Sequence, residues 1–446
     1  MTRRFRRATA AIFLLVLFAT PIALAQGPTV SNVAFVQQPN GAGGTEVVIT
    51  YDLASPDGPS DINVSLSKDG GSDGFSNAVT SVTGDIAAVT TGTGRTITWD
   101  IAADYPEEDI ANAQIRVFAY DSAPEMISVA AGTFNMGHTN AGDDATYGQA
   151  DELPVHTVTL SAYQIGKYEI TNQQVCDVFN WADDQGYFTT VDATTATAFG
   201  QELLELDSSS SHIEYSGGVF SPETRTGLPG TTTYSMADHP VVEVSWYGAV
   251  AYCNWLSELE GLTSVYNTGT WAANFVNDGY HLPTEAQWER AAAWDGSKHW
   301  IYSFASDTLT GKDGANYYDA NPSYVNPLGL TTWPYTSPVG WFDGVNVNPN
   351  GSVTTVNSAS PVGCYDMSGN VWEWCNDWSD YPAYDYYQTC YDLGTVSDPT
   401  GPGPGSYRVL RGGSWNYNLY NLRSADRYRL NPAFAYYYLG FRVSRD

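Results

Sequence analysis

The sequence predicts an α+β chain in two parts, an all-β module over 26–122 and a larger domain of short strands, few helices and long loops over 126–446. The first observation is alternation. Val47, Ile49 and Tyr51 share one face of Thr45–Leu53, and Ile62, Val64 and Leu66 alternate with Asn63, Ser65 and Ser67. The pattern returns at Ile97, Trp99 and Ile101 and at Ile115, Val117 and Ala119. Short strands of period two, separated by turns such as Lys68-Asp69-Gly70-Gly71, predict an immunoglobulin-like or fibronectin-like β-sandwich. This module carries no titratable cluster, which makes it a spacer or interaction module. Asp121–Glu125 is the expected hinge.

The second observation is a change of grammar at Met126. Thr171-Asn172-Gln173-Gln174 is a capping box that opens a helix with Val175, Phe179 and Ala182 on one face. Ser245 caps a second helix, where Ala249, Cys253 and Leu256 share a face and Gly261 ends the run. Thr284-Glu285-Ala286-Gln287 caps a third, running to about Trp294. From Lys298 to Asp446 the composition predicts turns and short strands packed by Trp and Tyr.

The third observation is the address at the start of the chain. Arg3, Arg4, Arg6 and Arg7 precede the apolar run Ala10–Ala19, and Ala23-Leu24-Ala25 follows. A basic region, a short apolar stretch and an Ala-x-Ala site predict a secretory signal over 1–25, cut after Ala25. A transmembrane anchor needs a longer apolar span. The chain is therefore expected to be exported: secreted, periplasmic or on the cell surface, with no membrane insertion after cleavage.

Cleavage leaves 15 of the 19 basic residues against all 49 acidic ones, a balance of −34. Such a charge repels polyanions and excludes nucleic acid as a partner. The cysteines, Cys176, Cys253, Cys364, Cys375 and Cys390, are odd in number and form no Cys-x-x-Cys. Cys375 and Cys390 flank a short Tyr/Asp-rich loop and are the best disulfide candidates, a closure worth about 3 kcal/mol in the chain-entropy model. Cys176 and Cys253 fall on apolar helix faces as inert thiols, and Cys364 is expected to pack.

Seven blocks of residues go further. Met126–Gly137 (MISVAAGTFNMG), Glu152–Gln174, His239–Leu256 (HPVVEVSWYGAVAYCNWL), Tyr280–Ala293 (YHLPTEAQWERAAA), Asp366–Trp374 (DMSGNVWEW), Arg408–Trp415 (RVLRGGSW) and Leu439–Val443 (LGFRV) follow in one order. They resemble the formylglycine-generating enzymes, the sulfatase-modifying factor family. The resemblance implies a C-type-lectin-like fold. It also implies a copper-binding cysteine pair just after Gly412-Gly413-Ser414, because soft thiolates suit Cu(I). Tyr417 and Leu422 stand at those places, and neither side chain replaces a thiolate. No copper is expected, and Ser414 and Arg427 remain as remnants of the family's active site. The family's iron-dependent sulfoxide synthases need clustered His, whereas the six His here are dispersed. By the same resemblance Asn370 and Glu373 match an Asn-x-x-Glu element that holds structural Ca²⁺, and Asn316 resembles the start of a second site, though Thr331 stands where its acidic partner is expected. A hydrogen-bonded turn that locks Trp372 and Trp374 into the core is the plain alternative.

The stretch 415–438 reads WNYNLYNLRSADRYRLNPAFAYYY, with six Tyr and four Asn in 24 residues. Tyr supplies amphipathic area with few rotatable bonds and Asn two-way hydrogen bonding, the palette of adaptable binding surfaces. The stretch also resembles the variable region of retroelement-diversified proteins, in which randomised Asn codons yield Tyr, Asp, Leu, Phe or Ser. Tyr417, Leu419, Tyr420, Leu422, Asp426, Tyr428, Leu430, Phe434, Tyr436, Tyr437 and Tyr438 are reachable that way, and with Trp415 they form the expected ligand-binding set. An ordinary Tyr/Asn-rich run is the alternative. The sequence thus favours an exported binding protein for a protein or glycan ligand, over a metal-dependent oxidase of the same family or a structural envelope protein.

Overall fold

The computed structural model describes residues 29–40, 45–55, 60–68, 77–106, 110, 112–121, 124–227, 233–309, 311, 313–318, 328, 330, 333–347 and 354–446. The expected signal segment, the turn residues 69–71 and Thr331 lie outside them.

In the N-terminal part, one sheet orders Thr29–Pro39, Thr45–Ala54, Gly92–Trp99 and Val82–Gly84, and a second orders Asn77–Ala78, Ser60–Ser67 and Gln114–Asp121. Both contribute to one core, where Ile49, Tyr51, Val64, Leu66, Ile97 and Trp99 are buried as the alternation requires. Ile101 departs from the pattern. It begins a single helical turn, Ile101–Asp104, because the Asp100 side chain accepts the Ala103 N–H and caps it. This module meets the larger domain at Arg116, which ion-pairs with Asp184 and donates from Nη1 to the Gly218 carbonyl (2.7 Å).

Three helices of the larger domain start at their expected caps. Asn172–Asp184 and Glu285–Ala293 have complete capping boxes at Thr171 and Thr284, and Trp246–Leu259 begins where Ser245 accepts the Gly248 N–H. A further helix, Tyr386–Leu393, interrupts the region expected to be turns and strands. Tyr and Thr are weak helix formers and Asp385 makes no side-chain cap, so only Gly394, just past its end with φ of 87°, marks this helix locally.

The organising sheet orders Tyr428–Leu430, Arg408–Arg411, Trp372–Trp378 and Leu439–Gly440. Its central strand, Trp372–Trp378, packs Trp372 and Trp374 into the main core with both longer helices. The chain closes on itself when Ser444–Arg445 pairs with Tyr163–Gly166, which also pairs with Met126–Val129.

The expected Cys375–Cys390 disulfide is corrected: all five cysteines are free, buried thiols. Cys375 is interior to the central strand and packs in the second core. Cys390 is held by the unexpected helix, one turn on from Tyr386. The two thiols are thus fixed by different elements, and burial pushes both up, away from the reactive thiolate. Cys176 and Cys253 are buried in the main core and Cys364 in the second.

Burial also sets the response to pH. Asp377 is pushed up to about 8, first by burial and then by neighbouring Glu285, while its Oδ2 accepts the Glu285 N–H. Asp184 rises to about 7 for the same first reason, against the opposing pull of Arg116. A carboxyl raised in the native state holds a proton that the unfolded chain has released, so stability falls as pH rises toward the native value. His212 and His239 are held neutral by burial, and their opposite effect operates only below pH ~6.5, where the unfolded chain takes up protons.

Two outcomes follow. Alkylation of unfolded, unreduced protein should add five groups by mass spectrometry, and three would reinstate a disulfide. The melting temperature should fall between pH ~6.5 and ~8.5, and Asp377→Asn, which keeps an acceptor for the Glu285 N–H, should flatten that fall. Parallel wild-type and variant melting profiles across that range would show that Asp377 is ionised in the native state.

Candidate functional site

Three aromatic residues form the floor of the candidate site. Trp372, at the head of the central strand, is fully buried, with the half-buried rings of Tyr417 and Tyr428 each 5.5 Å from its centroid. Tyr438 meets Tyr417 edge-on at 5.4 Å, and the Tyr417 and Tyr428 rings lie 6.2 Å apart. Leu430 packs beside them. Above this floor Tyr436 stacks on Tyr438 (5.4 Å) and carries Phe434 against it (5.7 Å). Phe434 is 46% exposed and Tyr436 37%.

Backbone bonds fix the segment from three sides. The Trp372 N–H donates to the Tyr438 carbonyl, the Trp246 N–H to Pro432 and the Glu243 N–H to Tyr436. Glu243 adopts left-handed backbone (φ 57°), and its carboxylate accepts from Ser208 Oγ at 2.7 Å. Burial pushes that carboxyl up to about 7. Trp415, itself buried, donates its indole N–H to the Tyr437 carbonyl, and Asn416 donates to the Tyr437 hydroxyl.

The structure also adds residues that the C-terminal stretch cannot announce. Trp333, 45% exposed, meets Tyr437 at 4.5 Å and Trp415 at 5.3 Å, and Tyr335 meets Trp415 at 5.4 Å. They lie some 80 positions upstream of Trp415, and no local pattern links them to it. Glu243 is missed for the same reason.

The expected ligand-binding set divides. Trp415, Tyr417, Tyr428, Leu430, Phe434, Tyr436, Tyr437 and Tyr438 converge on this face. Leu419, Tyr420, Leu422 and Asp426 do not. Leu422 is fully buried in a separate apolar cluster with Ile301 and Tyr302, against which Leu419 packs. Tyr420 packs on Tyr147 at 5.8 Å. Asp426 is buried beside Arg423 (3.2 Å) and accepts from Gln149 and Asn421. These places for Leu422 and Asp426 correct the expectation that they contact ligand: each side chain spends its surface on the protein's own interior.

The active-site remnants are equally enclosed. Ser414 is fully buried. Arg427 makes a two-pronged ion pair with Glu285, Nε to Oε1 and Nη2 to Oε2 at 2.8 Å each, and sits over the Tyr387 ring. A guanidinium held in that fork is committed to structure. Gly412 and Gly413 precede Ser414 with φ of 95° and 74°, and a Cβ on Gly413 would lie 2.7 Å from the Asn421 carbonyl oxygen, so the turn needs glycine.

The donor set expected for Ca²⁺ does not fit a cation. Both Glu373 oxygens are taken, by Arg442 Nε and Nη2 (2.6 and 2.7 Å) and by the Trp288 indole N–H (2.8 Å). Asn316 and Asn370 do meet, but Asn316 Nδ2 donates a 3.3 Å hydrogen bond to Asn370 Oδ1, which already accepts the Ser337 N–H. The Asn370 amide donates in turn to buried Glu169 (2.6 Å). The locked-turn alternative describes this geometry. Among the described residues no group of three or more His, Cys, Asp or Glu is placed to hold a metal.

Among known proteins, the chain is 31% identical over 325 residues to the serine/threonine-protein kinase Pkn1 of Chlamydia trachomatis, a match covering 72% of this chain. It spans only 38% of that kinase's length. It is 29% identical over 341 residues to the formylglycine-generating enzyme of Thermomonospora curvata, covering 73% of this chain and 94% of the enzyme. Among solved structures, Treponema denticola variable protein 1 is similar with a TM-score of 0.44 and 24% identity, over 74% of this chain and 95% of that one. Residues 112–446 match the family model of the sulfatase-modifying factor enzyme 1-like domain. With most of its length inside that match, the chain belongs to the sulfatase-modifying factor family of formylglycine-generating-enzyme-like proteins, and its larger domain has their C-type-lectin-like α+β fold.

Proposed function

We propose that this protein is an exported ligand-binding protein, and that the aromatic face around Tyr437 recognises a protein or glycan. The observation that carries this reading is the contrast between two neighbouring parts of one segment. Ser414 and Arg427, at the family's reactive positions, are sealed by packing and by Glu285, whereas Phe434 and Tyr436 present exposed rings on a floor of tyrosines already ordered by their own contacts. Rigid amphipathic rings bind with little further loss of side-chain entropy. Tyr417 and Leu422, at the places of the family's thiol pair, offer no sulfur to copper. In this reading the N-terminal module is an immunoglobulin-like spacer, and residues 1–25 direct export. Diversification of 415–438 by a retroelement is a finer version, which requires a reverse transcriptase gene and a near-copy of the terminal coding segment beside the gene.

The reading is tested by two measurements on the full chain. Incubation of a Cys-containing sulfatase peptide with the protein, Cu(I) and O₂ should yield no aldehyde, and turnover with stoichiometric copper would establish the oxidase reading instead. A panel of immobilised extracellular proteins and glycans should yield a binder, and Tyr437→Ala should weaken it by about ten-fold or more, as loss of a central aromatic anchor does. Undiminished binding by a folded Tyr437→Ala variant would remove this face from the site.

A further inference from the structure

A cavity of about 500 Å³ lies between the helix Trp246–Leu259, the stretch 264–269 and the turn of the hairpin 195–205, with Tyr187 at its edge. None of its residues belongs to the C-terminal segment. Tyr187 (37% exposed) and Phe199 (38% exposed) present rings at its edge, with buried Trp255 behind them. Tyr187 stacks on Trp255 at 6.0 Å with 9° between planes, and Phe199 lies 6.2 Å from the same indole.

Phe199 is out of place by local rules. In the hairpin Ala198 pairs with Gln201, so Phe199-Gly200 is a two-residue turn, with φ of 54° and 74°. Such a turn favours Asn-Gly, and a bulky side chain at its first position is a strained choice. The turn holds an aromatic ring out over the cavity instead of the residue that would suit its backbone.

The polar rim has a definite chemistry. The Glu258 carboxylate accepts from the Tyr187 hydroxyl (2.7 Å) and Ser264 Oγ (3.1 Å), and each of its oxygens keeps a further lone pair. Asn267 uses its carbonyl oxygen on the Gly269 and Thr270 N–H groups, and its amide NH₂ has no protein partner among the described residues. No Lys or Arg lines the cavity.

We propose that this cavity is a binding site for a neutral oligosaccharide. A sugar ring offers an apolar C–H face to the negative face of Tyr187 or Phe199 and hydroxyls to Glu258 and Asn267 at its edge. Anionic ligands are disfavoured by Glu258 and by the net charge of the chain. A trimethylammonium group would need several exposed rings closed around it. Trp255 is too buried to serve as a wall, and the cavity is an open trough of oligosaccharide size.

The test is calorimetric titration of the full chain with cellotriose, maltotriose, xylotriose and chitotriose, and with choline as a separate arm. At least one trisaccharide should bind, and Phe199→Asn and Tyr187→Ala should each weaken it by about ten-fold. Phe199→Asn supplies the turn's favoured residue, so its melting temperature should hold while affinity falls. That combination separates a ligand contact from a packing role, which would lower both. Tyr437→Ala should leave saccharide affinity unchanged, which keeps this site distinct from the C-terminal face. The proposal is overturned if no trisaccharide binds, if Phe199→Asn binds as wild type does, if choline binds in place of sugars, or if Tyr437→Ala alone abolishes the binding.

Discussion

The buried ion pair between Glu373 and Arg442 is the interaction on which the rest of this structure depends. Both side chains are fully buried, and the guanidinium grips the carboxylate through two nitrogens. The same guanidinium donates to the carbonyls of Gly166 and Tyr365, while Trp288 Nε1 completes the carboxylate. Four remote stretches of chain thus meet at one charge pair. Such a pair adds little net stability over apolar residues of equal size, but removing one partner strands a charge at a cost of about 3–5 kcal/mol. Its effect is to specify where the last residues of the chain run, and that path fixes the two edge strands flanking the candidate site.

Arg411, Arg423 and Arg427 repeat this logic nearby, pairing with Glu289, with Glu152 and Asp144, and with Glu285. A chain with so few cations has placed these four in its interior, where each neutralises carboxylates that burial would otherwise penalise. The surface keeps the excess of acid. A partner of either proposed site therefore meets aromatic rings within a negative surround, and contact at the rings must outweigh the surround's repulsion of anions.

Much of this architecture was legible in the sequence because its causes are local. Capping boxes act over four residues, so Thr171 and Thr284 mark their helices correctly. Alternation acts over two, so the N-terminal strands are marked as well. The helix Tyr386–Leu393 has neither signal, and it is formed by packing of Tyr387 and Cys390 against the domain. The Asn-x-x-Glu element failed differently. Its residues are where the resemblance puts them, but Arg442, 69 positions away, takes the carboxylate. Ionic commitments made across the chain cannot be read from a motif.

The same limit explains why the expected ligand-binding set divides between one aromatic face and the interior. A run of Tyr and Asn reports the chemistry of a surface but not which members reach it, because loops and short strands impose no fixed period. Tyr436 and Tyr438 lie two apart and stack, while Tyr437 between them turns toward Trp333 and Trp415. Leu422 and Asp426 are drawn inward by an apolar cluster and by Arg423. A diversified segment on this scaffold could vary Phe434 or Tyr436 at little cost to the interior, since both rings are partly exposed. Variation at Asp426 would leave Arg423 with one carboxylate fewer in the interior, so the buried charge network bounds which positions a variable surface can use.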